Sequence, residues 1–166
     1  MKNKKILHLV HGAIIAAFYA AATVLISPIS YGAVQFRLSE ALTVLSVFTP
    51  AAVPGLTIGC ILANISSPYG IWDIVFGSAA TLLAAITARA FRRITFKGLP
   101  LFSIIMPVIF NAVIIGAEIT FLTPADSSKF VLFIITALQV GAGELAVCLL
   151  GGVPLFYAVK KTKLFR

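Results

Sequence analysis

Val34-Gln35-Phe36-Arg37-Leu38-Ser39-Glu40-Ala41-Leu42-Thr43-Val44-Leu45 sets an arginine and a glutamate three residues apart, where an apolar loop runs into an apolar segment. The chain around it is 60% hydrophobic and only 11% charged, with a mean hydropathy of +1.08. A soluble domain carries about 25% charged residues, so this chain lacks the polar surface to sit in water. It reads as an all-α integral membrane protein forming one transmembrane domain over residues 1–166. In that setting two charges need a reason. A charge at bilayer depth costs about 2.5–3.5 kcal/mol on insertion scales and is a functional-site hypothesis by default.

Working outward, the first apolar run extends from about Leu7 to Ile29. It exceeds the ~7–15 residues of a signal-peptide core, so an uncleaved first helix is expected behind the basic start Lys2-Asn3-Lys4-Lys5. Ala13, Ala17 and Ala21, with Ala16 and Ala20 beside them, put small residues at four-residue spacing on this helix. Such a strip lets another helix approach closely. Packing within its own bundle and docking of a separate membrane subunit both fit it.

After the break at Ser27-Pro28 come two short apolar segments, Leu38–Thr49 and Val53–Ser66, joined through Pro50 and Pro54. Each covers about 18–21 Å as a helix, short of the ~30 Å hydrocarbon core. Three arrangements fit: spanning a thinned region, extension by a turn at each end, or a re-entrant hairpin. Short or broken helices at this depth are tolerated where they line a cavity. Longer spans follow at about Trp72–Ala90, Leu101–Leu122 and Phe130–Tyr157, and six spans is the reading adopted. The fourth carries Asp73, Gly77, Ala80, Ala84 and Ala88 on one small-residue face.

Eleven basic residues (Lys2, Lys4, Lys5, Arg89, Arg92, Arg93, Lys97, Lys160, Lys161, Lys163 and Arg166) fall on one side, against Arg37 and Lys129 on the other. The positive-inside rule then places both termini in the cytoplasm of a multi-pass cell-membrane protein. The net charge of +8 follows from this orientation, and no nucleic-acid-binding motif accompanies it. Cys60 and Cys148 lie in apolar runs and read as packing residues. His8 and His11 have no further metal ligand near them in the sequence and read as structural or interfacial. G-x-S-x-G, H-E-x-x-H and Walker A patterns are missing, so no enzyme is expected, and any ATP hydrolysis belongs to another chain.

With this orientation the polar groups collect in the outer half. Glu118 lies about 6 Å and Asn111 about 16 Å below the outer end of the fifth span, and Gln139 and Glu144 about 13 and 21 Å down the sixth. Asn64 closes the third span, and Trp72 and Asp73 open the fourth. Arg37 and Glu40 are expected at the outer rim, paired at i,i+3, with Asp73 capping its span. Glu118 and Glu144 then have no basic partner left. Two unpartnered intramembrane carboxylates favour a bound cation, protons or a ligand rich in N–H donors. Gln139 and Glu144 stand about 140° apart on an ideal helix, so both face one small ligand only if the helix is distorted near Gly141 and Gly143.

The run Val34 to Leu42, followed by Thr49-Pro50-Ala51-Ala52-Val53-Pro54-Gly55-Leu56-Thr57-Ile58-Gly59-Cys60 and Ala63-Asn64, resembles the QueT family. That family comprises the substrate-binding S components of energy-coupling factor (ECF) transporters for queuosine precursors. The resemblance implies a six-helix bundle of the S-component type with an outer-half pocket lidded by loops. It also implies a transmembrane coupling subunit carried by two cytoplasmic ATPases, on which the S component docks and topples to deliver its ligand inward. No cofactor is implied in this chain, since the ATP is used by the partners. The strip Ala13, Ala16, Ala17, Ala20, Ala21 matches the family's docking surface. The ligand it implies is a 7-deazaguanine. Glu118 and Glu144 would hold its donor groups, Asn64, Asn111 and Gln139 would orient it, and Trp72, Tyr31, Tyr69 or Phe36 would stack on it. Arg37 and Glu40 would anchor a lid. The alternative of another class is a self-sufficient proton- or cation-coupled carrier that relays through Glu118 and Glu144, and a non-transporting scaffold is a third.

Overall fold

A computed structural model describes residues 2–31, 34–124, 128–162 and 165. Lys163 and Arg166, two of the charges counted above, and Asp126 lie outside the described residues. Helix α1 covers Lys2–Leu25 and stops where Pro28 enters a one-turn helix α2, Ser27–Ser30. A 3-10 helix then runs Leu38–Val47, followed by α3, Ala52–Asn64. A π-helical turn, Asp73–Gly77, leads into α4, Ser78–Ala90. Helix α5 is Leu101–Leu122, and α6, Lys129–Val147, continues through a second π-helical turn, Cys148–Gly152, into α7, Val153–Lys161. No strand occurs among the described residues.

Among the described residues, four helical stretches are long and apolar enough to cross a membrane: Asn3–Leu25, Asp73–Ala90, Leu101–Leu122 and Lys129–Lys161. Leu38–Val47 and Ala52–Asn64 are shorter apolar helices. Phe18, Leu25, Phe121, Leu138 and Leu150 are each more than 65% exposed, a periphery suited to lipid tails rather than water.

The 3-10 helix is the unusual element, because such helices seldom exceed three or four residues. Three residues per turn stack positions i and i+3, and this sequence repeats in threes. Glu40, Thr43 and Ser46 form a polar stripe, and Ala41, Val44 and Val47 an apolar one. Val44 and Val47 join Ile104, Cys148 and Phe156 in one apolar cluster. A Cβ added at Gly151 would lie 2.9 Å from the Ala41 side chain, so the second π-helical turn presses directly on the 3-10 helix. Arg89 Nη1 donates to the Ser46 carbonyl at 3.1 Å, satisfying an end group of the 3-10 helix.

Helices α1 and α3 cross through their smallest residues. A Cβ at Gly55 would meet the Gly12 carbonyl at 2.6 Å, and one at Gly59 the Ala16 carbonyl at 2.8 Å. This splits the alanine strip. Ala16 is 5% exposed and belongs to the bundle, whereas Ala13, Ala17 and Ala21 are exposed and Ala20 is half-buried. The small-residue face of α4 turns inward as its spacing suggests, with Ala80, Ala84 and Ala88 fully buried.

Candidate functional site

The segment from Val34 to Arg37 packs against the bundle with Gln35 and Arg37 buried, Phe36 half-buried and Val34 exposed. Gly143 makes this possible: a Cβ there would collide with the Val34 carbonyl oxygen and lie 3.2 Å from its carbonyl carbon. At the far end, a Cβ at Gly77 would meet Asn64 Nδ2 at 2.6 Å and Arg37 Nη1 at 3.3 Å. The chain therefore stretches from α6, at the level of Glu144, to the π-helical turn before α4. Gln35, Arg37 and Glu40 are each at most 1% exposed.

Arg37 does not pair with Glu40. Its Nη2 stands 3.4 Å from Asp73 Oδ1, and its guanidinium lies over the Tyr31 ring at 5.5 Å. Glu40, one turn further along the 3-10 helix, accepts from three hydroxyls: Tyr19 at 2.5 Å and Thr81 at 2.7 Å on Oε1, and Thr43 at 3.0 Å on Oε2. Local spacing predicted the i,i+3 pair. Three hydroxyls already satisfy Glu40, which leaves the guanidinium to Asp73. Asp73 caps no helix through its side chain and instead accepts from Ser67 Oγ. Its carbonyl accepts from Asn64 Nδ2 at 2.6 Å.

Asn111, Glu118 and Glu144 are 1%, 5% and 0% exposed. Glu118 lies against the Asp73 carboxyl and within electrostatic range of Arg37, and Glu144 lies within electrostatic range of Glu40 and Arg37. Arg37, Asp73 and Glu118 thus lie together, Glu40 and Glu144 lie within electrostatic range of Arg37, Asn64 borders Asp73, and Asn111 is buried on α5. Gln139 does not join them. It is exposed, on the side of α6 away from Glu144, because α6 stays regular through Gly141 and Gly143 and the π-helical distortion falls later, at Cys148.

The hydrogen-bond balance in this cluster is one-sided. Both oxygens of Glu118 and of Glu144 accept no hydrogen bond, nor do Asn64 Oδ1, Asn111 Oδ1 and Gln35 Oε1, and Asp73 Oδ1 has only its ion pair with Arg37. The buried donors without a hydrogen bond are Gln35 Nε2 and the Arg37 guanidinium nitrogens, of which Nη2 is ion-paired with Asp73. Each buried group left unpaired costs about 1–3 kcal/mol, so the arrangement suits a molecule that brings donors to the carboxylates. Among the described residues four acids and one base are buried. Beside the cluster, a groove of about 670 Å³ runs between α4 and α5. Trp72, Phe76 and Phe121 wall it and Glu118 is its charged member. Trp72 stacks parallel to Phe76 at 5.9 Å and meets Phe121 at 5.8 Å. Such a groove accepts a flat ring.

Sequence reasoning missed Gln35, which was quoted but given no role, and Tyr19, which faces inward from the first helix. The signals were a lone amide in the apolar stretch before Arg37 and a lone tyrosine among alanines. Cys60 and Cys148 are free and buried, and Cys60 Sγ accepts from Asn64 and Thr81 at 3.4 Å. Among the described residues no group of His, Cys, Asp and Glu is placed to hold a metal ion. His11 packs edge-on against Phe165.

Residues 9–161 match the family model described as QueT transporter. A protein of Lactococcus lactis subsp. cremoris (strain MG1363), named queuosine precursor transporter QueT, is 38% identical over 85 residues. That alignment spans 50% of this chain and 50% of the relative. No solved structure matches. A family match over nearly the whole of an all-helical, lipid-suited chain has one reading: the chain belongs to the QueT transporter family.

Proposed function

We propose that this protein is the substrate-binding membrane subunit, or S component, of an ATP-driven ECF importer, and that it captures a queuosine precursor of the 7-deazaguanine type. The observation that carries this is the set of four carboxylate oxygens on Glu118 and Glu144, buried without a donor. A 7-deazaguanine presents N1–H and an exocyclic amine along one edge, a donor pair that a carboxylate accepts in bidentate fashion. An aminomethyl substituent adds a cation for the second carboxylate. The ring lies against Trp72, and Asn111 and Asn64 lend their free carbonyl oxygens.

In this reading the chain crosses the membrane six times with both termini cytoplasmic, and the site opens to the outside. Ala13, Ala17, Ala20 and Ala21 form the face that docks on a transmembrane coupling subunit. Ala16 is withdrawn from that face because α3 already covers it. Two cytoplasmic ATPases supply the energy, and this chain needs no cofactor of its own.

The test uses Trp72, the sole tryptophan, as a built-in reporter. Titrating purified protein with the aminomethyl 7-deazaguanine base should change its fluorescence saturably. Glu118→Gln and Glu144→Gln should each weaken binding by about ten- to a hundredfold, the loss expected when a charge-assisted pair becomes a neutral one. Unchanged affinity in both variants removes this pocket from the assignment. The same unpartnered carboxylates also suit a self-sufficient proton- or cation-coupled carrier. That reading requires uptake by vesicles containing this chain alone, driven by a pH gradient and indifferent to ATP.

A further inference from the structure

Among the described residues, Gln35 is the only buried amide with both its oxygen and its nitrogen unpaired. Asn64 has committed its Nδ2 to the Asp73 carbonyl, and Asn111 its Nδ2 to the Pro107 carbonyl at 3.1 Å. Each retains only an acceptor. The carboxylates accept only, and the guanidinium donates only. Gln35 alone offers a donor and an acceptor side by side.

Its position is held from both directions. The preceding carbonyl is seated against Gly143, next to Glu144, and two residues on the Arg37 N–H donates to the Gln35 carbonyl at 2.9 Å. The backbone there is left-handed, at φ 45, a region that non-glycine residues seldom occupy. The side chain is 1% exposed. A strained backbone carrying an unsatisfied buried amide adds nothing to the stability of the empty protein, and such features concentrate where a ligand completes them.

We propose that Gln35 is the specificity-determining residue that selects the free heterocyclic base over its N9-substituted forms, nucleosides included. The proposal rests on the 7-deazaguanine reading above. With the carboxylates accepting N1–H and the exocyclic amine, the base has one further edge that pairs an acceptor with a donor: N3 and the adjacent pyrrole N9–H. Carbon replaces N7, so the pyrrole proton is confined to N9. Gln35 Oε1 accepts from N9–H while Nε2 donates to N3. A sugar or alkyl group on N9 removes the donor and leaves the buried amide oxygen unpaired, which is how a polar site rejects an analogue.

Three ligands and two proteins test this. Binding of 7-deazaguanine, N9-methyl-7-deazaguanine and 3,7-dideazaguanine is measured for the wild type and for Gln35→Gly. Glycine keeps the left-handed backbone at no steric cost while removing the amide, so the variant retains the fold. The wild type should bind the parent base at least about tenfold more tightly than either analogue. In Gln35→Gly both preferences should collapse toward unity, through weaker binding of the parent base rather than tighter binding of the dideaza analogue. The dideaza comparison separates a lost hydrogen bond from a steric effect, since replacing N3 by CH adds almost no bulk. Preferences that survive in Gln35→Gly, or an N9-methyl base bound as tightly as the parent by the wild type, overturn the proposal and leave the pocket assignment standing. A wild type that binds none of the three sinks both.

Discussion

Glu40 and Glu144 are the same residue type, and both are fully buried in a lipid-suited bundle. Glu40 is enclosed by hydroxyls from α1, α4 and its own 3-10 helix, whereas Glu144 has no donor on either oxygen. The difference shows two uses of one costly group. The Glu40 network ties three elements together, and its charge is balanced by the fold. Glu144 and Glu118 accept no hydrogen bond within the fold, which is why the proposed function gives them to a ligand. Burial alone does not separate a structural carboxylate from a binding one; the donor count around it does.

The comparison can be broken by substitution. Glu40→Leu removes the acceptor of three buried hydroxyls and should cost about 3 kcal/mol, seen as a lower thermal midpoint of detergent-solubilised protein. A midpoint within a degree of wild type would make the network ornamental. Gly143→Ala forces the Val34 carbonyl away from α6 and should cost about 2 kcal/mol by overpacking. Because that loop carries Gln35 and Arg37, ligand affinity should fall with it. A variant that loses stability and keeps affinity would show the loop to be scaffold. The smallest effect on stability is expected from Glu144→Leu, which removes an unpaired buried acid and should leave the ligand-free midpoint unchanged or higher while abolishing binding. If it unfolds the protein as Glu40→Leu does, the two carboxylates are not different in kind.

Much of this was legible in the sequence. The boundaries of the fifth span, Leu101–Leu122, agree with the structure at both ends, because a long apolar run between a Pro and a Thr-Pro leaves little choice. The inward face of α4 followed from its four-residue spacing of small residues. Asn111 and Glu118, one heptad apart, are both buried as their shared face implies. The errors have a common physical source. Arg37 was assigned to Glu40 because i,i+3 neighbours always meet on a helix, but Tyr19 and Thr81 arrive from elements 21 and 41 residues away and satisfy Glu40 first. Gln139 was placed with Glu144 on the assumption of a helix distortion seven residues earlier than the one present. The period of three in Glu40, Thr43 and Ser46 was readable and signals the 3-10 helix, whose stacking differs from that of an α-helix of the same composition.

Hydropathy, helix length and the rarity of charge are sums over neighbouring residues, so the chain itself determined that it is helical and lipid-suited and holds four acids against one base in its interior. Which acids are satisfied is settled by distances between elements far apart in the chain. The tertiary structure alone decided that Arg37 meets Asp73, that Ala16 is lost to α3, and that the Val34 carbonyl is seated against Gly143. A hydrogen bond requires approach to about 3 Å, and no local pattern encodes which distant donor comes that close.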